Sequence, residues 1–260
     1  MSVPDITPTL LAAGPGKPLL ILGAGLGTSV MGLWSPAIPF LTDFEVVGVD
    51  LPGHGASPAS ADAFSVGDLA AAVAGVATKL AAGRNTFYAG VSLAGAVALQ
   101  LGLEHPGCFG AVAAICSAPS FGEPQQWRDR AEVVSQQGTP TQITGSAQRW
   151  FGPGFLGKNP EVSARLLHNL QDADRFSYAH CCLALAGFNV TDRLKGLNIP
   201  LLAIAGAEDT VCPPEVSRAM AASAPNGRAA VVPGVAHQAP AEAPVAVAAL
   251  LTEFFQQFPK

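Results

Sequence analysis

The sequence predicts an α/β fold in which a mostly parallel central sheet is flanked by helices and carries an inserted helical cap. Short, continuous apolar runs alternate with alanine-rich helical stretches, a pattern typical of strands buried on both faces and joined by crossover helices. The alternation stops between about residues 119 and 189, where helical stretches follow one another. The 260 residues, 49% of them hydrophobic, suit one large domain with an insertion.

Six apolar runs rich in Leu, Ile, Val and Ala are the predicted buried strands. They are residues 18–22, 45–49, 86–89, 111–116, 200–205 and 228–232. Their length is that of strands, and glycines or prolines flank the first four. Residues 3–11 are a weaker candidate for an edge strand or the start of a hairpin.

Helical stretches are predicted between the strands at residues 65–81, 93–104, 214–222 and 241–255. Within residues 119–189, the phrases WRDRAEVV, SAQRWF, PEVSARLLHNLQ and RFSYAHCCLALAGF have helical spacing and concentrate aromatic residues. We therefore expect a core of residues 1–118 and 190–260, with residues 119–189 forming a cap. Such a cap would help make a pocket over the carboxyl ends of the strands and exclude water.

Composition argues against several classes of protein. The net charge is −5 and no basic run could follow a phosphate backbone, so nucleic acid is not an expected partner. No stretch resembles a signal peptide or a membrane span, so we expect a soluble cytoplasmic protein without a membrane partner. The five cysteines include no C-x-x-C, which indicates neither a disulfide framework nor a metal site. Homo-oligomer formation stays open.

The stretch FYAGVSLAGAVALQ places a serine where a predicted strand becomes a helix. In a G-x-S-x-G elbow the nucleophile occupies a cramped backbone conformation that bulky neighbours would obstruct. Here Gly90 and Ser92 fit the pattern, but Ala94 stands at the last position and Gly95 follows it. By itself the motif leaves two alternatives open, a nucleophile or an ordinary hydroxyl in a strand-to-helix connection.

A serine nucleophile needs a base and an acid, which follow it in the chain on this kind of fold. His237, in VVPGVAHQAP, comes just after the last predicted strand and is the histidine in a suitable place. Asp209, in LLAIAGAEDTVCPP, follows another strand tip, with Glu208 as its solvated neighbour. The alternatives are a surface-loop histidine and an aspartate that makes only turn or cap hydrogen bonds.

An oxyanion hole needs backbone N–H groups directed at the developing negative charge. The N–H of Leu93, directly after the serine at a helix start, is one candidate. The second is the N–H of Leu26, in the turn of ILGAGLGTSVMGLW after the first buried strand, where small neighbours let the backbone approach a substrate.

The same loop contains GAGLG, which resembles a dinucleotide-binding fingerprint. Gly23 and Gly25 fit G-x-G, but Thr28 stands at the third glycine position. No helix is expected to begin there, because two prolines soon follow. Asp50 follows the next strand but leads directly into LPGHGASP, so an oxidoreductase is disfavoured.

Taken in order, ILGAGLGTSVMGLW, VVGVDLPGHGASP, FYAGVSLAGAVALQLGLEHP, IAGAEDTVCPP and VPGVAHQAPAEAP resemble the successive landmarks of the α/β-hydrolase superfamily. The resemblance covers the predicted core on both sides of the cap. The GLGT…W pattern, with the cap phrases RWFGPGF and YAHCCLALAGFNVTDRL, is similar to the 3-oxoadipate enol-lactonases of aromatic-acid catabolism.

This resemblance implies a cofactor-free serine hydrolase that opens an enol-lactone. It assigns Ser92 as nucleophile, Asp209 as acid and His237 as base. It assigns the main chains of Leu26 and Leu93 as oxyanion donors. The alanine in the elbow departs from the usual glycine and leaves the subgroup open.

A substrate with free carboxylates would need cationic donors in the pocket. The cap supplies Arg128, Arg130 and Arg149 beside Trp127 and Trp150. Arg130 and Trp150 are the preferred substrate contacts, followed by Trp127 and Arg149. The alternative for each arginine is a solvated helix face.

Other reactions use the same three groups. A carboxylesterase, a C–C bond hydrolase or a perhydrolase would have the same triad, so a small-molecule lactone or ester is the expected substrate class. A non-catalytic binding protein on the same fold is a further alternative, disfavoured by the Ser, Asp and His in the required order.

Overall fold

Residues 2–258, which the computed structural model describes, form a sheet of seven strands flanked by helices. The strands are β1 (Pro8–Ala12), β2 (Leu19–Gly23), β3 (Glu45–Val49), β4 (Thr86–Val91), β5 (Ala111–Ile115), β6 (Leu201–Gly206) and β7 (Gly227–Val232). Their order across the sheet is β1-β3-β2-β4-β5-β6-β7, and only β1 is antiparallel to its neighbour. The predicted α/β class with a mostly parallel sheet is confirmed.

The central strands are buried along their whole length because helices cover both faces of the sheet. Every residue of β2, β4, β5 and β6 is buried. The edge strand β7 has only its last residue fully buried, and β1 is partly exposed throughout. Of the weak edge-strand candidate at residues 3–11, only the second half pairs with the sheet.

Eleven α-helices lie within residues 2–258. They are α1 (Val30–Trp34), α2 (Val66–Ala81), α3 (Leu93–Glu104), α4 (Pro124–Gln137), α5 (Ile143–Trp150), α6 (Phe155–Lys158), α7 (Pro160–Asp172), α8 (Arg175–Ala186), α9 (Pro214–Ser223), α10 (Ala239–Glu242) and α11 (Pro244–Phe255). Helix α2 begins where a capping box forms between Ser65 and Asp68. No helix among these residues has the length and apolar composition that a membrane span requires.

Two helix predictions were wrong. The single helix predicted over residues 241–255 is divided into α10 and α11 at Pro244, because proline lacks the N–H that would continue the helix and disfavours helical geometry at Ala243. A helix does begin in the loop after β2. Ser29 caps α1 by accepting a hydrogen bond from the Gly32 N–H at 3.0 Å, and the helix ends before the prolines.

Helices α4 to α8 lie between β5 and β6, in the inserted segment, residues 119–189. Helix α4 packs against α8, and α7 contacts both α5 and α6. The main chain of Val190 donates to the Pro119 carbonyl at 2.9 Å, so both ends of the segment meet beside β5 and β6. These helices fall where the sequence predicts the cap.

The sheet directs four loops to one edge. The loops after β2, β4, β6 and β7 carry Leu26, Ser92, Asp209 and His237 respectively. The carboxyl ends of parallel strands meet at the same edge of a sheet, where ligand sites of this architecture occur. The fold therefore brings together side chains that are far apart in the chain.

Candidate active site

Ser92 occupies a strained turn between β4 and α3. Its backbone angles are φ 56° and ψ −116°, which few residues other than glycine adopt. Two hydrogen bonds to the Ser92 main chain hold the turn. The Ser92 N–H donates to the Ile115 carbonyl at 2.9 Å, and the Ser117 hydroxyl donates to the Ser92 carbonyl at 2.8 Å. The surrounding sheet thus maintains the conformation typical of an elbow nucleophile.

Ala94 fits the elbow because glycines surround its methyl group. A Cβ placed on Gly90 would lie 2.9 Å from the Ala94 Cβ, and one placed on Gly23 would lie 2.7 Å from it. Real Cβ atoms do not approach so closely, so a side chain at Gly23 would meet the Ala94 methyl group as well as the Tyr88 hydroxyl. At Gly90 the nearest atom is the main-chain carbonyl oxygen of Ala94, so glycine is needed there whichever residue occupies position 94. The alanine of the elbow thus packs against glycines of β2 and β4.

His237 and Asp209 form a buried hydrogen-bonded pair. His237 Nδ1 lies 2.8 Å from Asp209 Oδ2, and both side chains are almost fully buried. The other carboxylate oxygen, Oδ1, accepts the N–H groups of Val211 at 2.8 Å and Cys212 at 3.0 Å. Glu208, predicted to be the solvated neighbour of Asp209, is exposed.

The carboxyl group of Asp209 is held in its ionised form. Burial acts to raise the pKa of Asp209, but the hydrogen bond from His237, with those from the Cys212 and Val211 N–H groups, lowers it overall. An ionised acceptor at Nδ1 keeps the proton on that nitrogen and leaves Nε2 as the acceptor. This tautomer is the one a general base requires.

The turn that contains Leu26 is anchored by a histidine. The Gly27 N–H donates to His54 Nε2 at 3.1 Å, and His54 Nδ1 lies 2.8 Å from the Pro52 carbonyl. Burial lowers the pKa of His54 to about 4, so the ring is neutral, donating from Nδ1 and accepting at Nε2. Within residues 2–258, the N–H groups of Leu26 and Leu93 donate to no protein acceptor.

A cavity of about 140 Å³ lies between the sheet edge and the inserted segment, and we call it the catalytic cavity. It is lined by core residues Gly25, Leu26, Ser92, Val211, His237 and Gln238 and by inserted-segment residues Trp127, Arg130, Ser146, Arg149, Trp150, Tyr178 and Leu185. Ser92 and His237 therefore face the same space. No hydrogen bond joins their side chains among the described residues, and such contacts are often long without substrate.

All four predicted substrate contacts line this cavity, namely Arg130, Trp150, Trp127 and Arg149. Arg128 is exposed and does not line it. No carboxylate within residues 2–258 forms an ion pair with either arginine of the cavity wall. Partial burial, with the neighbouring charge of Arg130, lowers the pKa of Arg149. The wall thus carries two cations that can pair with an anionic ligand.

Three polar residues of the cavity wall were not predicted. Gln238 is 2% exposed, and its Oε1 has no hydrogen-bond partner within the described residues. Tyr178 lies beside Arg130, and burial raises the pKa of its hydroxyl. Ser146 is also buried. Only Gln238 had a signal in the sequence, because it directly follows His237; the other two depend on how the inserted segment folds.

Asp50 and Cys116 are two further buried residues near the site whose contacts are defined. The Asp50 carboxylate accepts the Val30 N–H at 2.7 Å and the Ala56 N–H at 2.9 Å, so it braces two loops. Cys116 offers a sulfur within 4.8 Å of ligand atoms of Asp209 and His237. Burial raises the pKa of the Cys116 thiol, and its S–H donates to the Ala236 carbonyl at 3.5 Å.

Comparisons with known proteins agree with this geometry. The chain matches the model of the "Alpha/beta hydrolase family" over residues 19–250. A protein named 3-oxoadipate enol-lactonase 2, from Acinetobacter baylyi, is 35% identical over 196 residues, which are 75% of this chain and 73% of that protein. A pimeloyl-acyl-carrier-protein methyl ester esterase of Yersinia enterocolitica is 29% identical over 255 residues, covering 94% of this chain and 95% of that protein.

A solved structure, the enol-lactonase from Burkholderia xenovorans LB400, matches with a TM-score of 0.90 and 24% sequence identity, covering 96% of each chain. At that identity the likeness establishes the fold. The family resemblance indicated by the sequence motifs is confirmed.

Proposed function

The chain belongs to the alpha/beta hydrolase family and is a hydrolase of ester or lactone bonds, and we propose that it opens a carboxylated enol-lactone. The proposed substrate is of the 3-oxoadipate enol-lactone type, and the proposed role is in aromatic-compound catabolism. The proposal rests on one cavity that holds Ser92, the hydrogen-bonded His237 and two arginines that form no ion pair with a carboxylate of residues 2–258. Ser92, His237 and Asp209 act as nucleophile, base and acid.

In the first step, His237 Nε2 takes the proton from the Ser92 hydroxyl as the oxygen attacks the lactone carbonyl. The bond between the carbonyl carbon and the ring oxygen then breaks. The ring oxygen leaves as an enolate, a good leaving group, and can take the proton back from the imidazolium. Asp209 stabilises that imidazolium without itself becoming protonated.

The N–H groups of Leu26 and Leu93 stabilise the tetrahedral oxyanion in this proposal. Neither N–H donates to an acceptor in the part of the chain that the structure describes, and the Leu93 N–H lies at the start of α3, where the helix dipole favours negative charge. A water activated by His237 then attacks the acyl-enzyme and restores Ser92. The inserted segment acts as the cap that excludes bulk water during both steps.

Removing the Ser92 hydroxyl tests the catalytic assignment. We expect Ser92→Ala to lower kcat by at least 10³-fold while the melting temperature stays close to that of the wild type. A serine-directed phosphonate should label the wild type and Ser135→Ala, a matched serine variant in α4, but not Ser92→Ala. Unchanged hydrolysis by Ser92→Ala, or its labelling at the same rate, would contradict the proposal.

The substrate assignment depends on the arginines of the catalytic cavity. A charge-assisted pair with a substrate carboxylate contributes about 1.5–3 kcal/mol, so Arg130→Ala should raise KM for a carboxylated lactone by about 10- to 100-fold. KM for an uncharged ester should change little, and the exposed Arg128→Ala is the matched control. An equal change for charged and uncharged substrates would reject carboxylate binding.

A carboxylesterase is the second candidate, favoured by the relative named as a methyl ester esterase that covers 94% of this chain. The triad would perform the same two steps with an alcohol as leaving group. A panel of enol-lactones, simple esters, C–C cleavage substrates and perhydrolysis conditions separates these reactions. Turnover of simple esters with no enol-lactone opening would decide for this second candidate.

A further inference from the structure

A second, larger cavity adjoins the catalytic cavity, and we call it the side chamber. Its volume is about 480 Å³, compared with about 140 Å³ for the catalytic cavity. It lies between residues 118–122 after β5, the start of α4, the 3₁₀ helix Thr191–Gly196, the loop after Asp209, and α9. A volume of a few hundred cubic ångströms is in the range of small-molecule sites.

The wall of the side chamber is mainly apolar. Its apolar residues include Phe121, Leu194, Cys212, Val216, Ala219 and Met220. Its polar members are Ser120, Gln126, Thr191 and Ser223, and the one charged side chain that lines it among the described residues is Arg130. A mainly apolar wall with a single charged side chain from residues 2–258 favours a hydrocarbon occupant over a second charged group.

Three residues line both spaces and divide them. Trp127, Arg130 and Val211 face the catalytic cavity on one side and the side chamber on the other. The two spaces therefore adjoin at these three residues, with the arginine at their junction, and the side chamber has the more apolar wall.

The three residues at this junction are held in place by contacts to the inserted segment and to the catalytic acid. The Trp127 indole N–H donates to the Phe121 carbonyl at 2.6 Å, and the Arg130 guanidinium lies 4.6 Å from the centre of its ring. The Val211 N–H donates to Asp209 Oδ1 at 2.8 Å, while 37% of the residue stays exposed. A valine is thus held at the junction by the carboxylate that orients His237.

We propose that the side chamber binds an apolar arm of the substrate, and that the protein acts on esters or lactones bearing a hydrocarbon chain or ring of several carbons. The arm lies in the chamber, an anionic group pairs with Arg130 or Arg149, and the scissile carbonyl lies at Ser92. This inference rests on the hydrolase function proposed above and adds a substrate class to it. The small enol-lactone would fill the catalytic cavity alone.

Direct binding tests the chamber without any turnover. Calorimetric titration of the wild type with sodium acetate, butanoate, hexanoate and octanoate should show affinity rising with chain length. The rise should reach up to about fourfold per methylene, the factor that corresponds to about 0.8 kcal/mol per buried CH₂. Equal affinity along the series would overturn the proposal, whatever the outcome of the Ser92→Ala experiment.

Substitutions that place a larger side chain in the side chamber test the same proposal, and the same change at a nearby residue outside the chamber is the matched control. Ala219 is an exposed α9 residue that lines the chamber, and Ala222 is an exposed residue of the same helix that does not. We expect Ala219→Trp to remove the gain from octanoate over acetate, Ala219→Leu to reduce it, and Ala222→Trp to leave it unchanged. The milder Ala219→Leu keeps the test valid if the tryptophan variant folds poorly.

Hydrolysis then links the chamber to the reaction. We expect kcat/KM to rise with chain length in a p-nitrophenyl acyl series or an alkyl acetate series, and Ala219→Trp to lower only the long members. A flat profile in both series, with Ser92-dependent hydrolysis of short esters intact, would reject the chamber while the proposed function stands. If Ala219→Trp instead changed only the sedimentation coefficient, the chamber would be a contact surface between copies and the proposal would fail.

Discussion

Both ring nitrogens of His54 are used in contacts that fix the loop of Leu26. His54 Nε2 accepts the Gly27 N–H, one residue from the proposed oxyanion donor. His54→Ala would leave that buried N–H unpaired, so we expect kcat to fall by about 10- to 100-fold with little change in KM. His54→Gln can replace the acceptor and should retain most of the activity. Equal loss in both variants would mean that the acceptor is not what matters.

The same histidine makes stability depend on pH. Burial lowers the pKa of His54 to about 4, from 6.5. Between these values the unfolded chain binds a proton that the folded protein does not, so the free energy of unfolding falls as the pH drops through this window. The loss amounts to about 3 kcal/mol for such a shift. Denaturant unfolding at pH 7 and pH 4 should show this loss in the wild type and a smaller one in His54→Gln.

Individual site residues could be predicted from the sequence where the chemistry restricts the residue type. Ser92, Asp209 and His237 could be selected because a strand tip and a fixed chain order narrow the choice, and the structure brings Asp209 and His237 into contact. Gln238 and Tyr178 could not be selected, because no local pattern shows which residues of a loop or an inserted helix face the cavity.

Glu242, in the short helix α10, joins the loop of His237 to the inserted segment. Its Oε2 accepts the Gly152 N–H at 2.6 Å, and its Oε1 accepts those of Ala236 and Gln238, each at 3.1 Å. The Trp150 carbonyl accepts the main-chain N–H of His237 at 3.1 Å. The end of α5 and the catalytic base are therefore held in one hydrogen-bonded unit.

Replacing this carboxylate should weaken both the fold and the reaction. Glu242→Gln puts an amide NH₂ against one set of N–H donors, so we expect a loss of about 1–3 kcal/mol in the free energy of unfolding. We also expect kcat to fall, since the His237 loop loses its anchor. Glu253→Gln, an exposed change in α11, is the matched control for denaturant unfolding and for kcat. A Glu242→Gln protein with the control's stability would refute the anchoring role.

Strands and helices were predicted correctly where burial imposes a simple pattern on the sequence. The ends of the predicted buried strands differ from those of β2 to β7 by at most two residues, because strands covered on both faces are mainly apolar. Residues 228–232 were located correctly, but the prediction that they are buried was wrong, since β7 is an edge strand with only its last residue fully buried. The failures at α1 and at Pro244 were of another kind. A five-residue helix has too few residues to show a period, and a proline can equally begin a new helix.

The sheet separates the hydrophobic core of the molecule into two clusters, one on each face. Trp127 and Leu26 pack against both, so the inserted segment and the oxyanion loop meet where the two faces join at the carboxyl edge. The alternation of strands and helices predicted the layers. It could not predict the side chamber, whose wall is contributed by five separate stretches of the chain.

The position of the inserted segment between β5 and β6 also affects how the protein is made. A growing chain that has been synthesised to residue 189 contains Ser92 and the Leu26 loop, but neither Asp209 nor His237. Strand β6 must then pair with β5 across more than eighty intervening residues, a slow, non-local step. A nascent polypeptide on the ribosome thus holds an unactivated serine, and hydrolytic competence through the proposed triad arises only after His237 has been synthesised.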